Sequence, residues 1–388
     1  MDFDLQWLLI GLPIAFAFGW IASRIDIGQW KRAQREAPKA YFQGLNLLLN
    51  EQHDKAIDAF IEAVQRDPDT ADLHFALGNL FRRRGEFERA VRVHQHLLQR
   101  ADLGAADRAR AQHALAQDYV KAGLLDRAEA AYRELEGTDF DIESRLARLS
   151  LAERARDWRT AADVAAKLEA SGTGSYANRI AHHWCELALQ LSDANDDAAA
   201  GDALRRAREA APHAPRPLIL AARHAAQKGD AAAAFALYTE LLQHAPALFP
   251  LVASDYATAA IACGQSEAAR ATVERRMQQQ PSVDLLNALR LLDGARPARD
   301  GVPDAGERAQ ALLHAQPTLS AALGVLDAPI DIHDEQVLRD VREAVARAAR
   351  PLQRYRCAAC GFEAPQHFWQ CPGCLSWDTF PAQRIEEL

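Results

Sequence analysis

Four of the six cysteines in this 388-residue chain lie in one short stretch, Cys357-Ala-Ala-Cys360 and Cys371-Pro-Gly-Cys374, spaced C-x2-C-x10-C-x2-C. Thiolates at C-x2-C spacing can face one ion while the amides of their turn donate to the sulfurs, and two such knuckles complete a tetrahedron. Either zinc or iron suits the set. Four thiolates leave no position open for water or substrate, so the expected role is structural, with zinc favoured. Electron transfer by iron is the alternative chemistry, and disulfide pairing the third possibility. Tyr355, Phe362, Phe368, Trp369, Trp377 and Phe380 crowd the knuckles of a chain that is only 7% aromatic. Some must build a small core, and others are available to dock the module or to present a partner surface.

A tail of about 35 residues cannot stabilise itself through its own core, so the elements before it matter. They form a repeat. Gly44, Ala56, Phe60, Ala63 and Pro68 are followed by Gly78, Phe81, Gly85 and Ala90, and then by Ala116, Tyr119, Gly123, Ala128 and Tyr132; Ala56 and Ala90 are 34 apart. Later units keep the small-large-small-Pro ending: Ala200, Leu204, Ala207, Pro212; Gly229, Ala234, Tyr238, Pro246; Gly264, Ala269, Val273, Pro281. These are tetratricopeptide spacings. Small residues let paired helices approach, Gly85, Gly123, Gly229 and Gly264 supply turns, and proline starts the next helix. Roughly seven to nine pairs between residue 37 and about residue 350 are expected to stack into a right-handed superhelix with a concave inner surface. The stretch 142–170 fits weakly, through Trp158, Ala161 and Leu168. The period fades beyond Pro281, and 293–306 reads as an irregular loop. Counting from each repeat start places Asn79, Arg82, Arg83, Gln117 and Lys121 on the first helices, where a basic groove would suit acidic peptide tails.

Residues 5–23, LQWLLIGLPIAFAFGWIAS, carry no formal charge. A helix of that length covers about 28 Å of a hydrocarbon core about 30 Å thick. A secretory signal would have a basic n-region and a small-residue cleavage site, whereas Asp2 and Asp4 precede the run and the A-x-A of Ala15 to Ala17 lies inside it, so an uncleaved anchor is expected. Arg24, Lys31, Arg32 and Arg35 follow it, which predicts a cytoplasmic location for everything beyond and a periplasmic amino terminus. Gly11, Ala15 and Gly19 form a small-residue stripe suited to another membrane helix. The organisation expected is therefore an anchor at 1–23, a basic linker at 24–36, a repeat array at 37–350 and a metal module at 351–388. The fold class is all-α apart from the knuckles.

The remaining composition excludes other classes. With 45 basic against 53 acidic residues, the net charge of -8 gives no hold on nucleic acid. A hydrophobic fraction of 49% is too high for disorder. No catalytic constellation is present. SGTGS at 171–175 lacks the Lys and Ser/Thr of a phosphate loop. His182, His183 and Cys185, beside Trp184, read as packed core positions, and Cys263 as a small hydrophobe at a repeat junction. Asp193, Asp196 and Asp197 read as a solvated loop.

The whole chain resembles the lipopolysaccharide assembly protein B (LapB, or YciM) family. The segment Tyr355-Arg-Cys-Ala-Ala-Cys-Gly-Phe362, with Phe368-Trp-Gln-Cys-Pro-Gly-Cys374 and Trp377, is similar to its rubredoxin-like RYRC-x2-CGF and YWxCPxC-x2-W pattern. Phe368 replaces a frequent Tyr. Leu375 stands where ordinary rubredoxins have Gly, which predicts a different turn and argues against an electron carrier. The resemblance implies an inner-membrane adaptor, not an enzyme, acting with the membrane protease FtsH to promote degradation of the LpxC deacetylase. It associates the anchor with the protease, the repeats with substrate presentation, and the metal module with the array and with sensing lipopolysaccharide or a protein that reports it. Two alternatives stay open: a scaffold that gathers lipopolysaccharide-assembly enzymes such as glycosyltransferases, and an iron redox protein.

Overall fold

The computed structural model describes residues 16, 42–47, 49–50, 52–294, 305–315, 318–327 and 335–388. The expected anchor, its stripe of Gly11, Ala15 and Gly19, and the basic linker lie outside these residues, Phe16 excepted. No helix among the described residues is long and apolar enough to cross a membrane. The described residues divide into two compact units, Met1–Asp157 and Trp158–Leu388.

The first unit holds α1 (His53–Arg66), α2 (Ala71–Arg84), α3 (Phe87–Gln99), α4 (Ala105–Lys121), α5 (Leu125–Arg133) and α6 (Asp141–Ala155). Its core contains the residues of the sequence period: Ala56, Phe60, Ala63, Phe81 and Ala90 bury together with Ile57, Leu73, Leu77 and Leu80. Gly85 ends α2 at φ +85°, a left-handed conformation that costs glycine nothing, and Gly123 turns the chain between α4 and α5 at φ +77°. After α6 the same job falls to Arg156 at φ +56°, so the weak stretch keeps the turn without its glycine.

Gly78 is required for a different reason. A Cβ there would lie 2.5 Å from His94 Nε2, and His94 is fully buried with Nδ1 2.5 Å from Asp118 Oδ2. Asp118, also fully buried, accepts from Arg82 at 2.9 Å, so α2, α3 and α4 meet around one carboxylate.

The second unit holds α7 (Trp158–Ala170), α8 (Ala177–Asp193), α9 (Asp197–Ala210), α10 (Pro215–Gln227), α11 (Ala231–His244), α12 (Ala253–Ala262), α13 (Ser266–Gln279), α14 (Val283–Gly294), α15 (Ala305–Ala315), α16 (Leu319–Leu326) and α17 (Glu335–Ala349). Helices thus persist beyond Pro281, where the sequence period fades. The reason is visible in the packing: Leu285, Leu286, Leu289 and Leu292 of α14 are all buried. A 3-10 turn, Pro246–Val252, is inserted before α12, with Phe249 fully buried edge-on to Tyr256 at 5.2 Å. Two short strands, β1 (Tyr355–Arg356) and β2 (Glu363–Ala364), pair antiparallel in the tail, Tyr355 opposite Ala364.

Gly78→Ala tests the close approach by its sign. Alanine is normally the better helix former by up to about 1 kcal/mol, but here overpacking against His94 costs about 1–3 kcal/mol. The variant is expected to have a lower denaturation midpoint than the wild type, and a raised midpoint would mean that α3 simply moves away.

Candidate metal centre

The two knuckles fold by the same hydrogen bonds. Cys357 N donates to Phe362 O and Gly361 N to Cys357 O, both at 2.9 Å; Cys371 N donates to Ser376 O at 2.9 Å and Leu375 N to Cys371 O at 2.8 Å. Gly361 sits at φ +77° and Leu375 at φ +59°, so both turns close through the left-handed region. The expectation that Leu375 alters its turn is therefore corrected. The backbone geometry of the knuckle overrides the side-chain preference, and Leu375 carries the strain on an exposed tip.

These turns bring the four sulfurs within 4.8 Å of one another. Cys357 Sγ lies 3.9 Å from Cys374 Sγ, and Cys360 Sγ 3.6 Å from Cys371 Sγ. A tetrahedron with zinc–sulfur bonds of about 2.3 Å has sulfur–sulfur edges of about 3.8 Å, whereas a disulfide needs about 2.05 Å. The donor set fits one metal ion and does not fit disulfides. Among the described residues these cysteines form the one group of three or more potential ligands. Cys357, Cys360, Cys371 and Cys374 would all hold the ion, closing its coordination.

Hydrogen bonds arrange the charge. Burial pushes the Cys357 thiol up, but the Thr379 hydroxyl and the amides of Cys360 and Ala359 outweigh it and bring it down to about 6. The hydroxyl and amide of Ser376 lower Cys374. The Phe362 amide acts to lower Cys360, yet burial and hydrogen bonds with the three crowded thiols carry it up to about 12. Four sulfurs this close cannot all ionise alone, so a bound cation must displace at least the Cys360 proton.

The aromatics divide between two tasks. Tyr355 and Phe380 bury with Cys357 and Cys371, and Phe368 packs on them. His367, which burial holds below its usual range, donates to Phe380 O at 3.1 Å and meets the Tyr355 and Trp369 rings edge-on. Trp369 and Trp377 instead dock the module. Trp377 stacks on His182 of α8 at 4.6 Å and 14°, and Trp369 packs against the core built by α10 to α14. His182 Nε2 is 2.9 Å from the Asp378 carboxylate, while Arg216 of α10 reaches His182 Nδ1 at 3.5 Å and Glu186 at 2.6 Å. Leu251 of the inserted turn touches the module's core, and Arg384 forks onto Asp284 of α14 with two bonds of 3.0 Å.

His182, His183 and Cys185 are buried as the sequence suggests, and burial pushes the Cys185 thiol up to about 12, which makes it inert. What sequence reasoning missed is that His182 and Arg216 form the seat of the metal module. His182 and Asp378 are 196 residues apart, and no local pattern links them. Cys263 is half-buried at the end of α12, and Asp196 caps α9 through the Ala199 amide.

The proposed groove residues fare unevenly. Arg82 turns inward to Asp118, the Ala114 carbonyl and Asn79, so its charge is already neutralised within the fold. Arg83 and Lys121 are exposed, and Gln117 is half-buried. The basic surface expected there is smaller than the sequence suggests, because a fully buried carboxylate takes one of its cations.

Two outcomes are expected at this centre. Apparent zinc affinity should rise at least tenfold per pH unit between about pH 7 and 8, because binding expels the Cys360 proton; a pH-independent competition titration would refute the four-thiolate set. Leu375→Gly should raise the thermal stability of the zinc-loaded chain by about 1 kcal/mol through relief of the left-handed strain. No gain would show that the exposed leucine is held by packing.

Two family models match. One described as a rubredoxin metal binding domain covers residues 355–381, and one described as a tetratricopeptide repeat covers 225–292. Lipopolysaccharide assembly protein B of Escherichia coli K12 is 32% identical over 391 residues, 99% of this chain and 100% of the relative. The protein of the same name from Haemophilus influenzae is 25% identical over 97% of each chain. A chain in the solved structure of Naa15/Naa10 bound to HypK-THB is similar over 82% of this chain and 47% of that one, at 14% identity and a TM-score of 0.46. The likeness to the Escherichia coli protein runs from the knuckles through the helical array, and the chain belongs to the lipopolysaccharide assembly protein B family.

Proposed function

We propose that this protein is a membrane-anchored, non-enzymatic adaptor in lipopolysaccharide assembly, which promotes FtsH-dependent proteolysis of the LpxC deacetylase. The observation that carries the reading is the full-length likeness to lipopolysaccharide assembly protein B. Three physical features support it. A metal site with four sulfurs and no open position has no means of activating water or binding substrate, so it serves architecture. Stacked helix pairs offer a long surface for holding another protein. The apolar segment 5–23, read as a single span with its amino terminus in the periplasm, keeps the array at the cytoplasmic face of the inner membrane and raises the local concentration of whatever it holds near a membrane protease.

In this reading the anchor, through Gly11, Ala15 and Gly19, meets the protease, and exposed polar positions of the array such as Arg83 and Lys121 meet the substrate. The deciding measurement is the half-life of LpxC in cells with and without this protein, FtsH being present in both. Depletion should lengthen the half-life several-fold, and a chain lacking residues 1–23 should not shorten it again. An unchanged half-life on depletion would overturn the adaptor reading in favour of a scaffold that gathers assembly enzymes.

A further inference from the structure

The four residues after the second knuckle face two ways. Ser376 hydrogen-bonds the Cys374 thiol through its hydroxyl and amide, and Thr379 Oγ1 lies 3.2 Å from Cys357 Sγ. The Thr379 carbonyl accepts from the Ala358 amide at 2.8 Å, which ties it to the first knuckle. Between them, Trp377 stacks on His182 and Asp378 accepts from the same ring. Asp378 adopts φ +55°, uncommon for a residue other than glycine, and its amide is fixed to Trp369 O at 2.8 Å. This kink is what sends Ser376 and Thr379 to the sulfurs and Trp377 and Asp378 to the helices.

We infer that Ser376–Thr379 is a coupling strap, in which Thr379 and Ser376 support the thiolates while Trp377 and Asp378 clasp His182, so that filling the metal site and seating the module on α8 and α10 are one linked equilibrium. A hydroxyl donating to a sulfur binds thiolate better than thiol, because hydrogen bonds to charged acceptors are about twice as strong. Loading the site therefore pulls Ser376 and Thr379 inward and fixes the backbone that aims Trp377 and Asp378. Linkage makes the effect reciprocal: whatever steadies the clasp at His182 must tighten the metal by the same factor. His182 touches none of the four sulfurs, so its influence on metal affinity has no direct route.

Competition titration of zinc against a chromophoric chelator, on the whole chain, reads both ends. Thr379→Val, which keeps shape and loses the hydroxyl, should weaken zinc about tenfold, and Thr379→Ser should stay within about twofold of wild type. His182→Ala should weaken zinc about three- to tenfold, and His182→Gln, which keeps a donor for Asp378, should recover most of that. Zinc affinity within twofold of wild type in His182→Ala would overturn the coupling. The wild-type protein supplies a second readout that needs no variant. Stripping zinc should speed amide hydrogen exchange in α8 around His182, and unchanged exchange there would overturn the proposal as well.

Discussion

Four sulfurs held within 4.8 Å of one another are the constraint on which the second unit's carboxy-terminal end depends. Such a cluster repels itself when ionised and is poorly solvated when it is not, so it is stable only around a cation. The two knuckles are built to make that cluster, through matched amide-to-carbonyl bonds and left-handed turns at Gly361 and Leu375. Because the ion closes the chain locally, the module needs few apolar residues of its own. Tyr355, Phe368 and Phe380 suffice for its core, which frees Trp369 and Trp377 to face outward against the helices.

The contacts that fasten the module differ in weight. Exposed pairs along the helices, such as Arg205 with Glu209, are screened by solvent and contribute little. The seat at His182 and Arg216 is of another kind, since both side chains are about 95% buried and each has a polar partner. Removing one member would strand the others in a low-dielectric setting, which is costly even where the intact pair contributes little net. Stacking of Trp377 on His182 adds apolar burial in the same place. Burial acts against the Arg384 charge as well, and the forked Asp284 carboxylate more than offsets it. Two of these pairs cross between the helices and the module, His182 with Asp378 and Asp284 with Arg384, while Arg216 braces His182 from the helix side through Glu186.

The first unit resolves a similar problem without metal. Asp118, fully buried, is matched by Arg82 and His94, and this places Arg82 in the framework instead of on a binding surface. Arg83 and Lys121, by contrast, stay in solvent.

Much of this was legible in the chain alone. The cysteine spacing named its ligands because C-x2-C geometry is local, and the 34-residue period named the helical array because each hairpin packs on its sequence neighbours. Gly85 and Gly123 announced their turns for the same reason, whereas Arg156 hid one, because tertiary packing tolerates strain that no pattern records. Beyond Pro281 the small-large-small-Pro marks are lost, and the buried leucines of α14 carry the packing instead. Which aromatics are core and which are docking, that His182 and Arg216 seat the tail, that Leu375 keeps its turn and that Arg82 is spent on Asp118 were all decided by tertiary structure. Each depends on residues far apart in the chain, or on a backbone geometry stronger than the preference of the side chain it carries, and neither is written in local spacing.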